Sequence, residues 1–158
     1  MNKKVLLVSV DTKLIEYFRK TDKEVMEENN RPFVLVLRLL YRHRNHDFAI
    51  PIRSNIAPNV PVKQYFNLPP RAKTKPYHHH GIHFIKVIPV NRKYLQTYKI
   101  DKSVQGQMVY SFVEKHLSEI VKKMQQYLSE YENGNRPQYS TDIDALIALL
   151  TQYEQLKN

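Results

Sequence analysis

The sequence predicts an α+β fold: a small, strongly curved antiparallel sheet, barrel-like in outline, with helices packed around it and a long C-terminal helix. Three observations predict it. A short apolar run followed by an amphipathic stretch opens the chain, and β-rich runs separated by turn residues fill its middle. The last third keeps a helical period almost without interruption. At 158 residues and 42% hydrophobic, the chain suits one domain, 1–158, around a single core.

Taken in order, Val5 to Val10 reads as a strand. Asp11-Thr12 offers an N-cap, and Leu14, Ile15, Phe18, Val25 and Met26 mark one face of a helix from Lys13 to Glu28. Asn29-Asn30-Arg31-Pro32 breaks it, because proline disfavours helix at the preceding residue. Phe33 to Leu40 is a central strand, Arg42 to His46 a polar hairpin tip, and Asp47 to Ser54 the returning strand. Pro51 places that strand near an edge or beside a bulge. Asn55 to Tyr77 contains five prolines and reads as a long ordered loop with little regular structure, a kind that is often functional. Gly81 to Val90 is a further strand. Asn91 or Asp101 can start the next helical stretch, and the long helix runs from Ser103 to Tyr131. Asn133 to Pro137 ends it. Ser140 or Thr141 caps a last helix, with Asp142 and Asp144 in its first turn.

Charge is distributed unevenly along this order. Between Arg31 and Lys99 there are thirteen Lys/Arg and one acid, Asp47, and six of the seven histidines. The remainder has twelve basic and fourteen acidic residues, so the formal charge of +10 divides as +12 in the middle and −2 outside. Such a one-signed field attracts a polyanion, above all nucleic acid. No apolar run approaches the roughly 20 residues a membrane span needs, which argues against a membrane partner. Met1 to Val10 is too short, and too soon interrupted by Asp11, to act as a secretory signal. The absence of cysteine fits a cytoplasmic location and excludes thiolate metal sites. Three glycines leave no glycine-rich phosphate loop.

The missing carboxylates restrict the chemistry. Metal-dependent nucleases hold Mg²⁺ with several Asp/Glu, and the basic middle offers only Asp47. RNA permits cleavage without metal or other cofactor, because its own 2′-OH is the nucleophile and the product is a 2′,3′-cyclic phosphate. DNA lacks that hydroxyl. The protein then orients the 2′-OH, moves protons and stabilises the charged phosphorane. Arg53-Ser54-Asn55 ends a strand and opens the long loop, a common place for catalytic side chains. In the expected hairpin, Arg31 lies near the same end. The plainer alternative is a solvated Arg31 and a turn-forming Ser54.

Tyr77-His78-His79-His80-Gly81-Ile82-His83 is the densest histidine cluster, with His78 and His80 sharing one side of an extended chain. Metal binding, acid/base work, phosphate donation and simple exposure at the start of a strand all remain open. Acid/base work or phosphate donation by one of these histidines is favoured over a metal site. Lys63, Tyr65, Arg71, Lys73, Lys75 and Tyr77 interleave charge with aromatic rings, a pattern that suits single-stranded RNA. Arg42, Arg44, His78, His79 and Lys86 complete the candidate RNA contacts.

The motifs also resemble those of a family. Asp11 to Val25 is similar to its first helix, and Arg31-Pro32-Phe33-Val34-Leu35-Val36-Leu37 to its basic residue and central strand. Phe48-Ala49-Ile50-Pro51-Ile52-Arg53-Ser54 resembles its second strand, which ends in a Thr/Ser active-site motif. Gly81 to Val90 resembles its segment of glycine, apolar strand and Ile-Pro. The family is the ToxN/AbiQ/CptN/TenpN-like endoribonuclease toxins of type III toxin–antitoxin systems. The resemblance implies a metal-independent bacterial endoribonuclease that cuts mRNA and its own repetitive RNA antitoxin. It further implies inhibition by the processed pseudoknot RNA in a closed assembly. By position, Arg31 stands at an active-site Lys, Ser54 at the motif's Ser and Arg53 at its Thr. The motif's following Lys has no counterpart: Asn55-Ile56-Ala57 come next, and His79 or His80 is the substitute this sequence offers. The catalytic set is therefore Arg31, Arg53, Ser54 and His80. A non-catalytic RNA-binding module is the competing expectation.

Overall fold

The computed structural model describes residues 5–27, 34–96 and 104–157. Its element order is β1 (Leu7–Val10), α1 (Thr12–Arg19), β2 (Val34–Tyr41), β3 (Arg44–Ile56), β4 (Tyr65–Leu68), β5 (His79–His83), β6 (Ile88–Val90), β7 (Leu95–Gln96), α2 (Val104–Glu132) and α3 (Ile143–Lys157). The fold is α+β. Seven strands pair antiparallel in the order β4-β5-β3-β2-β1-β7, with β6 also on β3. Among the described residues the sheet stays open. The expected break at 29–32, and helix starts at Asp101 and Ser103, lie outside the described residues.

β3 organises the sheet. Its first part pairs with β2 from Arg44 to Pro51. Its other edge pairs with β6 at Asp47–Ala49 and with β5 from Ile52 to Ile56. The expected single strand over Gly81–Val90 is thus two strands, split by a 3-10 turn at Phe84–Lys86. Pro51, opposite Val34 of β2, falls where the other edge of β3 passes from β6 to β5. β3 is central, not an edge strand, and the bulge alternative holds: its register shifts between Arg53 and Ile56. Arg42 and His43 both have positive φ, which makes the β2–β3 connection a tight two-residue turn and not a five-residue tip.

Strand β2 alternates between two cores. Leu35, Leu37 and Leu39 face α2, together with Phe48, Ile50 and Ile82. Val34 and Val36 face α1 and α3, with Ala49, Ile88 and Val90. Burial on both faces explains its almost unbroken apolar run. α1 is shorter than its periodicity predicts. The Asp22 carboxylate accepts from the Glu24 N–H at 2.9 Å and from the Asp142 N–H at 2.8 Å, and this local turn replaces further helix. Val25 still reaches the core. Asp142, not Ser140 or Thr141, caps α3, accepting from the Ala145 N–H at 3.1 Å. Asn91 caps only a short 3-10 turn at Arg92–Tyr94.

Two regular pieces occupy the expected loop over Asn55–Tyr77. A 3-10 turn at Val62–Gln64 leads into β4, whose Phe66 and Leu68 are buried and pair with Ile82 and His80. Proline density masked a four-residue strand held by three buried side chains, Tyr65, Phe66 and Leu68.

Candidate functional site

The far end of β3 carries an irregularity. Arg53 pairs with Gly81 and Ile56 with His79, so Ser54 and Asn55 together oppose one residue, His80. A bulge of this kind re-aims the side chains it contains. The proline-rich loop closes over it through three contacts. The His80 Nδ1–H donates to the Pro69 carbonyl at 2.6 Å. The Arg71 guanidinium reaches the Ser54 hydroxyl at 3.5 Å, a long contact. The Lys75 N–H donates to Asn55 Oδ1 at 2.7 Å. Between these, Arg71 and Thr74 lock one turn: the Arg71 N–H donates to Thr74 Oγ1 at 3.0 Å, and the Thr74 N–H to the Arg71 carbonyl at 2.9 Å.

A cleft of about 230 Å³ opens beside the bulge, lined by Arg53, Ser54, Asn55, Lys86, Val25 and Glu27 among others. Its charges differ in their partners. Lys86 pairs with Glu24 at 2.9 Å and donates to the Tyr139 carbonyl at 2.7 Å. Glu27 pairs with Arg19 at 3.1 Å. Arg53 meets no carboxylate among the described residues; its Nη1 contacts His83 Nδ1 at 3.2 Å. Burial draws the Arg53 guanidinium below its ordinary value, although a guanidinium stays charged in proteins. His83 is buried, and burial, then Arg53 and Lys86, push its imidazole down to about 3. Burial also lowers His80; the Pro69 contact opposes that shift and Arg71 reinforces it. Both imidazoles are therefore neutral near pH 7. With Nδ1–H on Pro69, His80 keeps Nε2 as its lone-pair nitrogen.

Of the expected catalytic residues, Arg53 and Ser54 line the cleft and His80 stands opposite the bulge in register, while Arg31 lies outside the described residues. Of the expected RNA contacts, Arg71 and Lys75 belong to the same group. Lys63, Lys73 and Tyr77 are exposed along the loop, and Tyr77 stands 88% exposed at φ 65. His78 donates to the Pro76 carbonyl at 3.0 Å. Tyr65 is buried and stacks on His79 with centroids 5.0 Å apart, so its ring is a prop and not an open platform. Arg44 is exposed and Arg42 holds Asp144 at 2.7 Å; both sit at the opposite end of β3, up to ~30 Å away at about 3.3 Å per residue. Lys86 is consumed by Glu24 and Tyr139. His83 did not enter the expected set. Gly81, two residues before it on β5, pairs with Arg53, a relation that needs the β3–β5 register and cannot be seen in spacing alone. No group of three His, Cys, Asp or Glu converges as a metal site among the described residues. No helix there is long and apolar enough to cross a membrane.

No protein-family profile matches the chain, and no curated protein matches it. Solved structures do. AbiQ, a lactococcal anti-phage endoribonuclease belonging to a type III toxin–antitoxin system, superposes with a TM-score of 0.75 at 18% identity, covering 97% of this chain and 99% of that one. A protein from work on bacterial type III toxin–antitoxin systems, in which a non-coding RNA pseudoknot selectively inhibits the toxin, gives 0.71 at 15% identity, covering 97% and 99%. A third, from a bacterial antiviral system regulated by a processed non-coding RNA, gives 0.67 at 17% identity, covering 92% and 96%. The chain has the fold of type III toxin–antitoxin toxins over nearly its whole length.

Proposed function

We propose that this chain is a metal-independent endoribonuclease toxin, acting in the cytoplasm on mRNA and on its own repetitive RNA antitoxin. The processed pseudoknot RNA inhibits it by occupying the basic groove in a closed toxin–RNA assembly. One observation carries the reading: in a toxin-like fold, the β3 bulge sets Ser54 beside Arg53 in the lining of a cleft, with His80 opposite in register and Arg71 on the Ser54 hydroxyl.

In this reading the scissile phosphate sits between Arg53 and Arg71. Ser54 orients the phosphate or the 2′-OH. The 2′-oxygen attacks phosphorus, its proton passes to His80 Nε2, and the bond to the 5′-oxygen breaks. The products are a 2′,3′-cyclic phosphate and, once protonated, a 5′-hydroxyl. Arg53 and Arg71 stabilise the dianionic phosphorane, the largest electrostatic demand of the step. Lys63, Lys73, Lys75 and Tyr77 guide the single strand, by phosphate contact and base stacking.

Expression without any RNA partner tests this directly. Wild-type protein arrests growth and the Ser54→Ala variant, made at the same level, does not. Equal growth of the two strains removes the toxin reading. RNA that copurifies intact with the wild type and is not cut on incubation supports a binding module instead.

A further inference from the structure

We propose that His83 is a positioning residue for Arg53: it fixes the guanidinium on the scissile phosphate without neutralising its charge. The proposal rests on the reading of Arg53 as a phosphate ligand. A buried guanidinium ordinarily takes a carboxylate, which holds it but cancels its charge. Here the partner is an imidazole nitrogen at 3.2 Å. Guanidinium nitrogens only donate, so His83 Nδ1 accepts and its proton resides on Nε2.

That proton placement has a cost visible in the structure. His83 is 3% exposed, and its Nε2 is buried with no hydrogen-bond partner among the described residues. A leucine or phenylalanine at this site would leave no such orphan. The histidine is explained by its other nitrogen, the one on Arg53. It is equally unsuited to proton transfer, since Nδ1 is occupied and Nε2 is sealed from solvent. Burial and the flanking cations Arg53 and Lys86 keep the ring neutral. Glu27 of the cleft is engaged by Arg19, and Lys86 by Glu24.

Three substitutions separate the possible roles. His83→Asn keeps an acceptor near the Nδ1 position, His83→Leu removes it, and His83→Asp replaces it with a carboxylate. Steady-state cleavage of RNA is measured for each, with circular dichroism to verify folding. The Leu variant loses about 10²-fold in kcat with little change in KM, the scale of a misplaced catalytic group. The Asn variant stays within about tenfold of wild type, as expected when the hydrogen bond is kept in altered geometry. The Asp variant loses at least as much as Leu, although it holds Arg53 best. Wild-type kcat in the Leu variant, or an Asp variant as active as Asn, overturns the proposal. If Leu does not fold, the Asn and Asp variants decide. A second readout is independent of activity: ¹⁵N spectra of His83 show an Nε2–H tautomer that does not titrate between pH 5 and pH 8. A titrating ring or an Nδ1–H tautomer overturns the proposal even if RNA is cut. Wild-type protein that cuts no RNA while showing the Nε2–H tautomer leaves the His83–Arg53 contact standing and contradicts the toxin reading instead.

Discussion

At the scale of single residues, Ser54 and His80 carry separable predictions. Ser54 is buried, and its hydroxyl takes only a long contact from Arg71 among the described residues. Ser54→Ala therefore changes stability little, yet lowers cleavage by about 10²–10³-fold if the hydroxyl is a transition-state donor. Thermal melts and initial rates on the same samples check both halves. His80 acts as a base only when neutral, and burial lowers its pKa, so the acid limb of the kcat profile lies below the ordinary histidine value. His80→Gln abolishes that limb. His83 shapes stability more than activity at low pH. Its folded value of about 3 lies below the unfolded value of about 6.5, so the unfolded chain binds the extra proton. Stability is fully present above pH 6.5 and falls as the pH drops towards 3, by about 2 kcal/mol at pH 5 from this group. Denaturant titrations at pH 7 and pH 5 show the loss, and His83→Phe flattens it.

At the scale of elements, two close contacts set the site's shape. A Cβ on Gly81 would lie 2.6 Å from the Phe66 carbonyl oxygen and 3.2 Å from Ile56 Cδ1. Gly81→Ala forces β4 away from β5, costing about 1–3 kcal/mol and disturbing the Pro69–His80 contact. Reduced melting temperature together with reduced cleavage is the expected result. Thr141 ties the start of α3 to the turn between β5 and β6. Its N–H donates to the Ile85 carbonyl at 2.9 Å and its hydroxyl to the Val87 carbonyl at 2.5 Å. Thr141→Val leaves that buried carbonyl short of a donor, costing about 1–3 kcal/mol in a denaturant titration. These elements also show what a sequence can reveal. β1, β2, the long helix and α3 follow from their periodicities, because one or both faces meet a core. β4 and the split between β5 and β6 do not, because both depend on which edge of β3 each segment finds. The shortening of α1 depends on Asp22 meeting Asp142, 120 residues away.

For the whole molecule, the acid-poor middle divides into two ends of one long strand. At the hairpin end, Arg42 and Arg136 serve Asp144, whose carboxyl they hold down to about 2. At the other end, Arg53, Lys63, Arg71, Lys73 and Lys75 have no carboxylate ion pair among the described residues. Charge counting along the chain locates the basic stretch but not this division, which requires the ion pairs. The same holds for the site: Arg53 and Ser54 stand out as the end of a strand, whereas Arg71 on Ser54 and His83 on Arg53 are long-range contacts. If those five cations meet phosphates, the binding constant for single-stranded RNA falls with a log–log salt slope of about −3.5. Lys73→Ala with Lys75→Ala makes it shallower by about 1.4 and leaves kcat at saturation unchanged. The most direct measurement is the chemistry of the cut ends. Purified wild-type and Ser54→Ala proteins are incubated with RNA in EDTA, and the product termini are mapped. The mechanism predicts 2′,3′-cyclic phosphate and 5′-hydroxyl ends from the wild type and almost no product from Ser54→Ala. Intact RNA, 3′-hydroxyl ends, or equal cleavage by both proteins contradicts it.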